Sequence, residues 1–140
     1  MTRGVPLAAD VSPFADRLAA VAGVTAVVCL SADGLPLGAS MGLPDAARDR
    51  TAAMVCSLLS AAGSSSLAIS QDECGRPAVG QVTVEFDRGY LIVMPAGENS
   101  TLAVLTAPDA DLGVVAYEIA RNIATFSTRA YDAPARTAAP

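Results

Sequence analysis

Three cysteines, Cys29, Cys56 and Cys74, and the acidic pair Asp72-Glu73 beside the last of them are the side chains in this sequence with the most latent reactivity. A thiol becomes a nucleophile when a neighbouring base takes its proton. The 140 residues contain no His, and all nine basic residues are Arg, so neither a Cys–His pair nor Ser–Lys chemistry is available. The cysteines stand 27 and 18 residues apart with no CxxC spacing, which excludes the usual zinc arrangements. Cys29 and Cys56 lie in apolar stretches and read as small core residues. Cys74 lies in a polar loop with Gly75 and Pro77, where Asp72 and Glu73 read as solvated carboxylates, and a redox role for its thiol is the alternative. Gly34, Gly38 and Gly42 match neither GxxxxGK[ST] nor GxGxxG, so they read as turn and packing positions and not as a phosphate cradle. No catalytic, cofactor-binding or metal-binding residue is expected.

The composition narrows the function further. Apolar residues make up 52% and charged residues 16%, too apolar for a disordered chain and sparing enough in charge that part of the surface is expected to meet another protein. The net charge of −5, with no basic cluster, argues against nucleic acid and anionic membranes as partners. The reduced-thiol pattern, with no signal-like N-terminus and no run of 18 apolar residues, points to the cytoplasm; membrane recruitment would run through partners. The length suits one domain, expected over residues 12–130, with a flexible arm at 1–11 and a disordered Ala/Pro/Arg/Thr tail at 131–140. The Ala-rich, Lys-free usage reflects a GC-rich genome better than it reflects function.

The elements that would carry these residues follow from periodicity. Ser12-Pro13 predicts an N-cap and first turn, with Phe14, Leu18 and Val21 on one face of a helix over 12–22. Residues 24–31 predict a buried strand, Asp33-Gly34 a hairpin turn, and residues 35–41 its partner strand. A long helix opens at Asp45 and runs through Ser64, with reach to Ile69; its apolar stripe is Ala47, Thr51, Met54, Val55, Leu58, Leu59 and Ala62. Strands follow at 78–86, 90–95 and 100–106, then a helix carrying Leu112, Val115, Ile119, Ile123 and Phe126, with Asp109 and Asp111 at its N-terminus. The long helix carries no charge beyond Arg50, and its other faces are small residues such as Ala53, Ser57 and Ala61. One side of a helix can meet its own sheet; the rest of this one is expected to meet a second chain.

The segments GVTAVVCLSADGLPLGAS at 23–40, VTVEFDRGYLIVMPAG at 82–97 and LAVLTAPDADLGVVAYEIA at 102–120 resemble the Roadblock/dynein light-chain family, in particular its actinobacterial, MglB-like members, over residues 12–128. The resemblance implies an α+β fold of profilin-like order α-β-β-α-β-β-β-α. In it a five-stranded antiparallel sheet carries the long helix on one face and the two terminal helices on the other. It implies a homodimer through the strand at 78–86 and the helix at 45–64, with Met54, Leu58, Ala61, Val82 and Val84 at the interface. It also implies a non-catalytic signalling module that binds and regulates a small Ras-like GTPase, in the company of a sensor-kinase-like protein. Arg48 and Arg50 are the partner-binding candidates, although no residue can be assigned as an arginine finger. The alternative is a dimeric scaffold docking onto a sensor-kinase-like or membrane-associated complex without nucleotide dependence. An unrecognised enzyme is the third reading, which the missing His and Lys disfavour. Val82→Pro would test the edge pairing by removing a ladder hydrogen bond.

Overall fold

The computed structural model describes residues 11–69, 79–97 and 99–128. Its elements are α1 (Ser12–Ala19), β1 (Val24–Ser31), β2 (Pro36–Ala39), α2 (Asp45–Ile69), β3 (Val82–Phe86), β4 (Gly89–Pro95), β5 (Ser100–Thr106) and α3 (Leu112–Thr128). The strands form one antiparallel sheet in the order β2-β1-β5-β4-β3. This is the expected α+β order. Most of residues 1–11, the tail at 131–140, and the Asp72-Glu73-Cys74 cluster lie outside the described residues.

Alternation along the strands divides the core into two layers. On one face Val27, Cys29, Ile92, Leu102 and Val104 pack against Phe14 and Leu18 of α1 and Val115 and Ile119 of α3. On the other, Val28, Leu30, Leu91, Val93 and Ala103 pack against Ala52 and Val55 of α2. Val11, placed in the flexible arm by the sequence, is the first core residue at 1% exposure. It also occupies the position before α1, with no side-chain cap, while Ser12 is already helical, so Ser12 is not the N-cap. At α3 the expected capping does form: Asp111 Oδ1 accepts the amides of Gly113 at 3.1 Å and Val114 at 3.2 Å.

The stripe on α2 is rotated from the one read in the sequence. Ala52 is buried at 1% and Val55 at 0%, whereas Met54 is 41% exposed. Two residues of an α-helix turn through about 200°, so a helix that seats Ala52 against the sheet must point Met54 away from it. Small residues at Ala52 and Gly63, both buried, let the backbone of α2 lie close to the strands.

Where β2 ends, a side chain extends the sheet. Ser40 donates its amide to the Val27 carbonyl at 2.9 Å, and its Oγ accepts the Val27 amide at 3.0 Å. Ser40→Ala strands the fully buried Val27 N–H, and the expected loss of about 1–3 kcal/mol is measurable by urea unfolding. An unchanged midpoint would show that this bond contributes nothing.

Candidate functional site

Among the described residues the cysteines offer no reactive centre. Burial pushes the Cys29 thiol up to about 12, so it stays protonated. Cys56 is half-buried on α2, against the β1–β2 turn. There Gly34 adopts φ +92°, and a Cβ on it would stand 3.2 Å from the Cys56 sulfur. No group of three His, Cys, Asp or Glu side chains that could hold a metal ion occurs among the described residues. No helix among them is long and apolar enough to cross a membrane.

What stands out is a surface. The outer face of α2 runs through Arg50, Ala53, Met54, Ser57, Ala61 and Ser64, all exposed and, past Arg50, all uncharged. Met54 and Ala61 therefore lie where a second chain could reach them. Leu58, Val82 and Val84 come together instead beneath α2, half-buried in the chain's own core. Arg48 and Arg50 occupy the first turns of the helix in different circumstances. Arg48 reaches Asp45 at 3.4 Å and Asp49 at 3.0 Å. Arg50 is exposed on the outer face, one turn before Met54.

Beside this face lies β3, which pairs with β4 on one side and, among the described residues, ends the sheet on the other. Its free groups can be assigned. Phe86 pairs with Gly89 across the two-residue turn Asp87-Arg88, which makes them a mutually hydrogen-bonded pair. The next pair, Glu85 with Tyr90, is then a non-hydrogen-bonded one, and the Tyr90 amide accordingly points the other way, to Thr106 Oγ1 on β5 at 3.3 Å. By alternation Val82, Val84 and Phe86 direct their peptide groups to β4, while Thr83 and Glu85 direct theirs outward. The amide of Val82 is thus part of the chain's own ladder, and Val82→Pro would damage the sheet that it was meant to spare. Thr83 and Glu85 are the residues that offer the edge.

Phe86, an apolar member of the alternating strand at 78–86, is not among the interface residues expected from the sequence. It continues the Val82–Val84 alternation onto the α2 face yet is 45% exposed. It borders an open groove of about 460 Å³ with Ala26, Leu43, Arg88 and Leu105. The signal was the third apolar member of that alternation, at the last residue of an edge strand. On the opposite face, Val114 and Tyr117 of α3 are exposed at 49% and 65%.

The sequence profile of the Roadblock/LC7 domain matches residues 14–106. Among solved structures, a Roadblock/LC7 domain from Streptomyces avermitilis is 32% identical, with a TM-score of 0.77 over 86% of this chain and 98% of that one. MglB of Myxococcus xanthus is 16% identical, with a TM-score of 0.76 over 92% of each chain. Profilin IB of Acanthamoeba castellanii is 15% identical, with a TM-score of 0.59 over 86% of this chain and 98% of that one. The last two likenesses are likenesses of fold. No curated protein matches the sequence.

Proposed function

The chain belongs to the Roadblock/LC7 domain family, and on that premise we propose that it is a homodimeric, non-catalytic signalling module that binds and regulates a small Ras-like GTPase. The observation that carries this reading is the uncharged, exposed outer face of α2 next to a β3 edge that no strand among the described residues pairs with. A helix face built from Ala, Ser and Met admits a second helix closely and offers it no desolvated charge. Two copies joined there would present a pair of α2 N-terminal turns, each with its Arg50. Met54 and Ala61 would lie in the helix seam, and Val82, Val84 and Leu58 would support it from beneath. Arg48, held by two carboxylates of its own helix, is the weaker contact of the two arginines.

A nucleotide switch is what gives such a module something to read. A GTPase alters the order of its switch segments with its nucleotide, and a partner that favours one arrangement changes the hydrolysis rate by positioning. The test is affinity capture from source-cell lysate on the immobilised protein, with GTP-analogue and GDP arms in parallel. A small GTPase retained preferentially in one arm, followed by a changed hydrolysis rate on adding this protein, is the expected result. Retention without nucleotide preference, or of sensor-kinase-like and membrane proteins alone, would move the protein to the scaffold reading. With the captured GTPase in hand, Arg50→Glu is expected to lower affinity roughly tenfold at unchanged dimer mass, measured by titration calorimetry. Equal affinity would remove the first turns of α2 from the contact.

A further inference from the structure

The geometry points to one register for the contact between two copies: β3 pairs with β3 of a second copy about a twofold axis through Val84. This rests on the dimer reading above and adds to it which residues face which.

A twofold axis perpendicular to the sheet keeps each side chain on its own face. Residues that oppose each other in an antiparallel pair also share a face. A self-paired strand must therefore place its axis on a residue and not between two. For β3 the choices near its middle are Thr83, Val84 and Glu85. The strand spans Val82–Phe86, so the Val84 axis alone pairs it over its whole length. Thr83 then faces Glu85 of the second copy, and the outward peptide groups of both residues are used: four hydrogen bonds, two from each Thr83–Glu85 pair.

The side chains favour the same axis. An axis on Glu85 opposes two carboxylates directly, which is destabilising across strands. An axis on Thr83 sets Phe86 opposite Gly80, which has no side chain to cover it and lies outside the strand. The Val84 axis sets Phe86 opposite Val82 of the second copy, in a non-hydrogen-bonded pair, where side chains approach most closely. An aromatic beside a β-branched residue is a favourable cross-strand combination. The exposed ring of Phe86, left half-covered in a single chain, is then covered from both copies of the interface.

The registers predict opposite signs for one substitution. Thr83 is exposed on the face that α1 and α3 leave open over β3, so Thr83→Arg changes no core contact. About the Val84 axis it creates two Arg–Glu85 pairs, and the dimer dissociation constant, measured by sedimentation equilibrium over a dilution series, falls about two- to thirtyfold. About a Thr83 axis it sets Arg against Arg and the constant rises. Thr83→Arg combined with Glu85→Gln separates the remaining case. The gain disappears about the Val84 axis, whereas about a Glu85 axis it persists, because the introduced guanidinium there faces Asp87. Phe86→Ala is expected to raise the constant at least tenfold. A rise with Thr83→Arg, or a gain that survives Glu85→Gln, overturns the register while the dimer stands. A wild-type protein that is monomeric throughout the series overturns the dimer reading and the register together.

Discussion

Gly89→Ala is expected to lower unfolding free energy by about 3 kcal/mol or more, the largest effect of any conservative substitution in the sheet. Gly89 opens β4 with φ +153°, a conformation that side-chain-bearing residues avoid. It is also buried against β5: a Cβ there would lie inside the van der Waals shell of the Thr106 carbonyl oxygen, with the Thr106 carbonyl carbon 3.1 Å away. Both neighbours are backbone of a central strand and cannot swing aside. The melting temperature should drop by roughly 10 °C. Gly80→Ala, where a Cβ meets nothing within 4 Å, serves as the control and should change stability by less than about 0.5 kcal/mol. Equal unfolding midpoints for the two variants would show that β4 and β5 do not approach as closely as described.

Thr83→Pro is expected to abolish the proposed pairing of two copies and leave a folded monomer. The amide that Pro removes points to the open edge, so the chain's own β3–β4 ladder keeps all its donors. In a second copy's place, however, the ring would meet a carbonyl that expects a proton. Two of the four inter-copy bonds vanish by symmetry and the strands are held apart, which should weaken association at least a hundredfold. Light scattering gives the mass, and circular dichroism shows that the monomer is folded. A folded Thr83→Pro protein that keeps the dimer mass would rule out β3 as the pairing edge. Val82→Pro would instead unfold the edge itself, so its loss of dimer would mean little.

That contrast shows where sequence reading ended. The order of elements was legible because each carried its own period: the Val/Cys/Leu run of β1, the Asp33-Gly34 turn, the 112–115–119 stripe of α3. The rotation of α2 was not. Met54 and Ala52 both fit a helical stripe, and hydrophobicity prefers Met, but closeness of packing against the sheet prefers Ala. Hydropathy alone cannot weigh the two. The direction of the Val82 amide was also hidden. It depends on counting outward from the two-residue turn at Asp87-Arg88, and side-chain alternation does not reveal which peptide groups a strand spends on its neighbour. The start of β3 was set four residues early, since Val79 to Gln81 continue the polar–apolar mixture without joining the ladder. Of the proposed surface, the uncharged face of α2 was visible from the missing charges, while Phe86 and the outward groups of Thr83 and Glu85 required the sheet order.

The sheet order also sets a timetable. The central strand is β5, the last strand in sequence, and one of its two neighbours is β1, the first; Val28 pairs with Ala103. A ribosome releases α1, β1 and β2 before α2, and β1 keeps one unsatisfied side until β5 emerges. Everything between is a loop that must close before the centre of the sheet exists, and closures of that span are slow compared with hairpins. The hairpin of β3 and β4 emerges before β5, the strand to which β4 pairs, so the sheet closes only when its central strand arrives. During that interval the side of β1 that will meet Leu102, Ala103 and Val104 offers its peptide groups to any other strand that comes near.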